Sequence, residues 1–138
     1  MNFENTRPLT ITIDGPSASG KGTLSKMISE HFSIPHLNSG LIYRQLAFDA
    51  LRKNIDLKNN IKDLCKIASH VSLNNFNEST LSTEEVGVAA SIVGNHKEIR
   101  QILFTLQQDF IKHSISNFSG CVLDGRDMGT VICPDASF

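Results

Sequence analysis

Apolar positions in the first third of the chain change period three times. In "LTITID" (9–14), Leu9, Ile11 and Ile13 alternate with Thr10, Thr12 and Asp14. A β-branched, period-two run between Pro8 and Gly15 predicts a strand. From Thr23 onward, Leu24, Met27, Ile28 and Phe32 fall on one stripe, which predicts a helix that buries this face until "SIP" (33–35) stops it. Pro35 opens a short extended piece, "PHLN", and helical spacing returns in "SGLIYRQLAFDALRK" through Ile42, Leu46, Ala47, Ala50 and Leu51. "IKDLCKIASHVSL" sets Ile61, Leu64, Cys65 and Ala68 on one face, and the polar "NNFNEST" (74–80) reads as a loop. In "STEEVGVAASIV" (82–93), Ser82 or Thr83 serves as N-cap, Glu85 is the capping-box partner of Ser82, and Gly94 and Asn95 mark the end. The longest amphipathic run, "KEIRQILFTLQQDFIKHS" (97–114), carries Ile99, Ile102, Leu103, Leu106, Phe110 and Ile111. Cys121 to Leu123 then read as a buried strand running into "DGRDMGT" (124–130).

Strands alternating with helices predict an α/β fold in which a parallel sheet is covered by helices on both faces. Function then belongs at the carboxyl ends of the strands. The polar clusters after Asp14, Leu37 and Leu123 all fall there. Met27 and the phenylalanines at helical spacing are expected in the core. The sequence shows no internal repeat, low-complexity tract or interdomain linker, so it reads as one domain over 1–138.

Composition narrows the chemistry. Thirteen basic and 14 acidic residues leave a formal charge of -1, which argues against a nucleic-acid polymer or an acidic lipid surface as partner. Any bound nucleotide must be held by local positive groups. Cys65, Cys121 and Cys133 form no C-x-x-C pair and are odd in number, which fits thiols in a reducing compartment. The N-terminus lacks the layout of a secretion signal and no run approaches the ~18 apolar residues of a membrane span. A cytoplasmic protein is expected.

Between the first strand and the first helix stands "GPSASGKGT" (15–23). Gly15-x-x-x-x-Gly20-Lys21 is the core of a phosphate-binding loop in its required strand-to-helix setting. Glycines let successive N–H groups curl inward while the starting helix adds its dipole, so donors converge on an anion. The loop residues Gly15, Pro16, Ser17, Ala18, Ser19, Gly20, Lys21, Gly22 and Thr23 are the candidate triphosphate cradle, with Lys21 as a mobile charge for the outer phosphates. Thr23 stands one position later than the hydroxyl of the strict pattern and is assigned to phosphate rather than metal. No metal-ligating residue is assigned. His31, His36, His70, His96 and His113 show no ligand spacing and read as surface or core residues.

"ITIDGPSASGKGT", "LNSGLIYRQLA", "AASIV…IRQIL…Q" and "DGRDMGT" follow one another in this order, and together they resemble the bacterial cytidylate kinases over nearly the whole chain. The resemblance implies a P-loop nucleoside monophosphate kinase fold, with a core formed by 1–38 and 117–138 and an acceptor-binding helical region over about 39–116. It implies ATP and Mg²⁺ as cofactors and transfer of the γ-phosphoryl group to CMP or dCMP. It places Ser39, Arg44, Ser91, Arg100, Arg126 and Asp127 at the acceptor nucleotide, Lys21 and Arg126 as the catalytic positive groups, and Asp124 either behind the groups that touch the nucleotides or near the metal. Taken alone, Arg100 is a solvated helix charge, Ser39 a helix-start residue and "DGRD" a charged turn. An arginine fork suits phosphate because it binds two oxygens at once and keeps its charge.

The chain departs from that family in three places. Asn38 stands where an acidic residue is usual, the stretch between His70 and Glu84 is shorter, and the sequence stops at Phe138. These departures lead to the expectation of a C-terminally truncated chain: a monomer if complete, with association through an exposed sheet edge if truncated. Two further readings stay open at this level, a catalytically silent nucleotide-binding fragment and a small-molecule kinase resembling shikimate kinase.

Overall fold

The computed structural model describes residues 8–15, 20–125 and 136–138. In chain order the elements are β1 (Leu9–Asp14), α1 (Lys21–Phe32), β2 (His36–Asn38), α2 (Ser39–Arg52), α3 (Ile61–Ala68), α4 (Glu78–Leu81), α5 (Glu84–Gly94), α6 (Lys97–Asn117) and β3 (Gly120–Gly125). They fall into two compact units, one built from residues 1–38 and 107–138, the other from residues 39–106.

The first unit contains the sheet. Its described strands are all parallel in the order β1-β3-β2, with Leu9 opposite Gly120, Asp14 opposite Gly125 and Asn38 opposite Asp124. A strand paired on both sides spends all its backbone donors and acceptors on neighbours, and every residue of β3 is buried. Gly120 enters this strand at φ 143°, where a β-carbon would lie 1.7 Å from the Leu9 carbonyl oxygen. Only glycine fits. On the outer edge of β1, Phe138 N–H donates to Thr10 O at 3.2 Å and Thr12 N–H donates to Phe138 O at 2.8 Å, a parallel-type pairing centred on Ile11.

Helix α1 packs on all three strands, but not with the face expected. Leu24, Met27 and Phe32 are exposed, Met27 at 62%. The inward side consists of Ser25, fully buried, with Ile28 and Ser29 half-buried. Small side chains let the helix approach the sheet closely, and their hydroxyls need no partner from it. Ser25 Oγ donates to Lys21 O at 2.6 Å, and Ser29 Oγ donates to Ile34 O. Phe118 and Phe138 also lie outside the core, so apolar spacing located a stripe without saying whether the sheet would meet it.

In the second unit α2 packs against α3, α4 and α5. Ile42, Leu46, Ala47 and Ala50 of α2 are buried together with Leu64, Ala68, Leu81, Val86, Ala89, Val93, Ile99 and Leu103. Three polar side chains start the helices here: Asn60 accepts from Asp63 N at 3.2 Å, Asn77 from Thr80 N at 3.2 Å and Thr83 from Val86 N at 3.3 Å. Asn77 converts the end of "NNFNEST" into the short helix α4, contrary to a plain loop. With Thr83 as N-cap, the reciprocal partner position falls on Val86, so the Ser82–Glu85 capping box does not form. Between α2 and α3, Asp56 accepts from Lys58 N and from Asn59 N and Nδ2. The Asn59 side chain and these backbone donors hold its carboxyl below the usual range.

Gly120→Ala is expected to cost at least about 3 kcal/mol of unfolding free energy, because it combines a forbidden φ with backbone overlap. Urea denaturation followed by circular dichroism measures this.

Candidate functional site

In the first unit the polar residues gather at the carboxyl ends of the strands. Asp14 and Gly15 leave β1, Asn38 ends β2, and Asp124 and Gly125 end β3. Gly15 N–H donates to Gly125 O at 3.1 Å, which holds the two exits at one level. Gly20 then adopts φ 85° and ψ 3°, a left-handed turn suited to glycine, and α1 starts at once. The first turn of α1 has neither a side-chain cap nor an acidic residue. Its leading N–H groups and positive dipole end therefore suit an anion. Among the described residues nothing lies within 4 Å of where a β-carbon on Gly22 would stand. Lys21 is half-buried in it and Thr23 is exposed. Pro16, Ser17, Ala18 and Ser19 lie outside the described residues, as do Arg126 and Asp127.

Asp124 is fully buried, and its Oδ2 is paired with His36 Nε2. Register explains the meeting. Asp124 stands opposite Asn38, and His36 is two residues earlier on the same face of β2. No histidine spacing in the sequence signals this pair. Among the described residues no group of three or more His, Cys, Asp or Glu gathers to hold a metal ion, and no helix is long and apolar enough to cross a membrane.

The second unit brings several other expected residues to one place. Arg44 on α2 donates from Nη1 to Leu81 O at 2.7 Å. A β-carbon on Gly87 would sit 3.2 Å from Arg44 Nη2, and one on Gly94 would sit 3.6 Å from the Tyr43 ring. Positions 87, 91 and 94 share one face of α5. Ser91, whose Oγ donates to Gly87 O at 3.2 Å, therefore lies on the face that meets Tyr43 and Arg44. Arg100 reaches back from α6 to donate from Nη1 to Gly94 O at 2.9 Å. The nine-residue separation of Ser91 and Arg100 is thus folded onto one end of α5. Ser39 is buried at the start of α2. A guanidinium at Gly87, a second at Gly94, and a hydroxyl and a phenol along the same helix face are groups that can hold a phosphate and read the polar edge of a base. Gly87 escaped the sequence reading, although a lone glycine inside a helical pattern signals close approach.

The second unit also has a cavity of about 610 Å³ lined by Asp49, Arg52, Lys53, Lys66, Ile67 and His70, none of them an expected site residue. Its cations sit at or just beyond the last turns of α2 and α3, where positive charge offsets the exposed carbonyl ends.

Tyr43 is the only tyrosine and the chain has no tryptophan, so its phenol can be titrated by absorbance without interference. Burial raises its pKa above the ordinary value, and Arg100 pulls it partly back. Removing that cation in Arg100→Ala is expected to move the tyrosinate midpoint further up. Because the folded value is raised, the stability linked to this phenol is fully present below the unfolded value of about 10 and is lost as pH rises through the folded one.

The family model for cytidylate kinase matches residues 11–138. The chain is 43% identical over 130 residues to a cytidylate kinase of Bartonella tribocorum, covering 94% of this chain and 58% of that relative. It is 41% identical over 128 residues to those of Bradyrhizobium sp. and Methylocella silvestris, covering 93% of this chain and 58% and 57% of the relatives. The chain thus spans a little under three fifths of the length of these curated relatives. A glycine-entered helix at the end of a parallel sheet, the arginines of α2 and α6, and this similarity agree, and the chain belongs to the cytidylate kinase family.

Proposed function

We propose that this chain binds ATP with Mg²⁺ and CMP or dCMP, and serves transfer of the γ-phosphoryl group to give ADP and CDP or dCDP. The observation that carries this is the N-terminus of α1, entered through left-handed Gly20 at the carboxyl end of a parallel sheet. Residues 15–23 cradle the triphosphate, with Lys21 on its outer phosphates. Arg44 and Arg126 hold the acceptor phosphate, and Ser39 lies near the acceptor nucleotide. For the base, Ser91 or Asp127 accepts from the cytosine amino group, while Arg100 donates to the ring nitrogen and carbonyl. Uracil would present the opposite polarity at two of these atoms, a mismatch of about 1–3 kcal/mol for each group left unpaired.

In the reaction an oxygen of the CMP phosphate forms a bond to the γ-phosphorus as the bridging oxygen leaves with ADP. The attacking oxygen is already ionised near neutrality, so no general base is required. What remains is alignment of two polyanions and support for charge on the transferred group by Lys21 and Arg126. Magnesium, when bound with ATP, would neutralise phosphate charge. Asp124, whose Oδ1 has no hydrogen-bond partner among the described residues, fits an approach to that cation or its water.

Lys21→Ala should weaken ATP binding by about 10- to 100-fold, the loss of one or more charge-assisted contacts. Arg100→Ala should weaken CMP while leaving ATP unchanged. Calorimetry separates the two effects, and equal losses for both ligands would displace the base pocket from α6. A coupled ADP-release assay with CMP, dCMP, UMP and AMP tests transfer itself. ATP binding without turnover on CMP or dCMP would reduce the reading to nucleotide capture.

A further inference from the structure

The buried pair at the end of β3 bears on how that carboxylate is used. Asp124 is 0% exposed and sits on the strand hydrogen-bonded on both sides, between Ile13 and Asn38 in register. Oδ2 meets His36 Nε2, whereas Oδ1 has no hydrogen-bond partner among the described residues. A carboxylate oxygen accepts, so in this pair Nε2 is the donor to Oδ2. A buried carboxyl oxygen left without a partner is costly, and a pairing kept for stability alone would be expected to answer both oxygens. Asn38 brings an amide rather than a second carboxylate to this level, and the alternation of β1 turns Asp14 to the opposite face from Asp124.

We infer that His36 is a positioning residue for Asp124. By fixing Oδ2 on the adjacent strand, it presents Oδ1 to the divalent cation, or a water bound to it, that accompanies the nucleotide phosphates. The inference rests on the nucleotide-binding reading above and adds a role for a residue that touches neither nucleotide. The imidazole performs the task that outer carboxylates and carbonyls perform for metal ligands elsewhere: it selects the orientation of the group that meets the cation. Magnesium suits such a site because it takes one or two carboxylates and fills the rest of its shell with phosphate oxygens and water.

The test is calorimetric titration of this chain with ADP, with and without MgCl₂, in the unaltered protein, His36→Leu and His36→Gln. Mg²⁺ should tighten ADP in the unaltered chain. His36→Leu should lose about tenfold or more of that tightening, while its Mg²⁺-free ADP affinity stays unchanged. His36→Gln, whose amide can still donate, should restore most of it. If His36→Leu does not fold by thermal denaturation, His36→Asn takes its place, since its shorter amide falls short of Oδ2. Full Mg²⁺ tightening in His36→Leu or His36→Asn overturns the inference alone, as does equal loss in His36→Gln or no Mg²⁺ effect in the unaltered chain. No ADP binding with or without metal overturns the nucleotide reading, and this inference with it.

Discussion

Pairing of β3 on both sides is the constraint from which the carboxyl edge of the sheet takes its geometry. With β1 on one flank and β2 on the other, each in parallel register, the residues that end the strands arrive at one level. A slip of one residue would turn Asp124 to the opposite face and separate it from His36. Gly120 guards that register at the other end, because the Leu9 carbonyl occupies the space a β-carbon would need. A backbone fit at the start of a strand therefore sets the position of a carboxylate at its finish.

Helix α1 illustrates a different balance. Its inner face is built from serines whose hydroxyls bond to nearby backbone carbonyls, and its larger apolar residues look outward. Close approach to the sheet keeps the start of the helix near the strand ends, where left-handed Gly20 leads into it. Bulkier side chains on the inner face would hold that dipole away from the sheet.

Much of this was legible in the sequence. Period-two and helical spacing located β1, β2, β3 and the principal helices, and the glycines of "GPSASGKGT" marked the left-handed entry at Gly20 from which α1 starts. Spacing could not tell which side of α1 meets the sheet, because Leu24, Met27 and Phe32 form a regular stripe whether or not anything covers it. Nor could it reveal the pairing of His36 with Asp124, which are 88 residues apart and meet only through strand register. The α4 turn was hidden by polar composition, although Asn77 is a strong helix starter. Arg44, Ser91 and Arg100 entered through family likeness. That Gly87 and Gly94 admit Arg44 and Tyr43 to one face of α5 emerges only when the helices are packed.

Arg44 is already tethered through Nη1 to the Leu81 carbonyl and rests against Gly87. An unrestrained arginine has about 2 kcal/mol of rotameric freedom to lose when it grasps a ligand. Here the bond to Leu81 and the approach to Gly87 already restrict much of that freedom, so the fork would be preorganised for the acceptor phosphate proposed above. A side chain at position 87 would press on Arg44 Nη2 and so disturb that order through a neighbour, leaving the guanidinium itself in place.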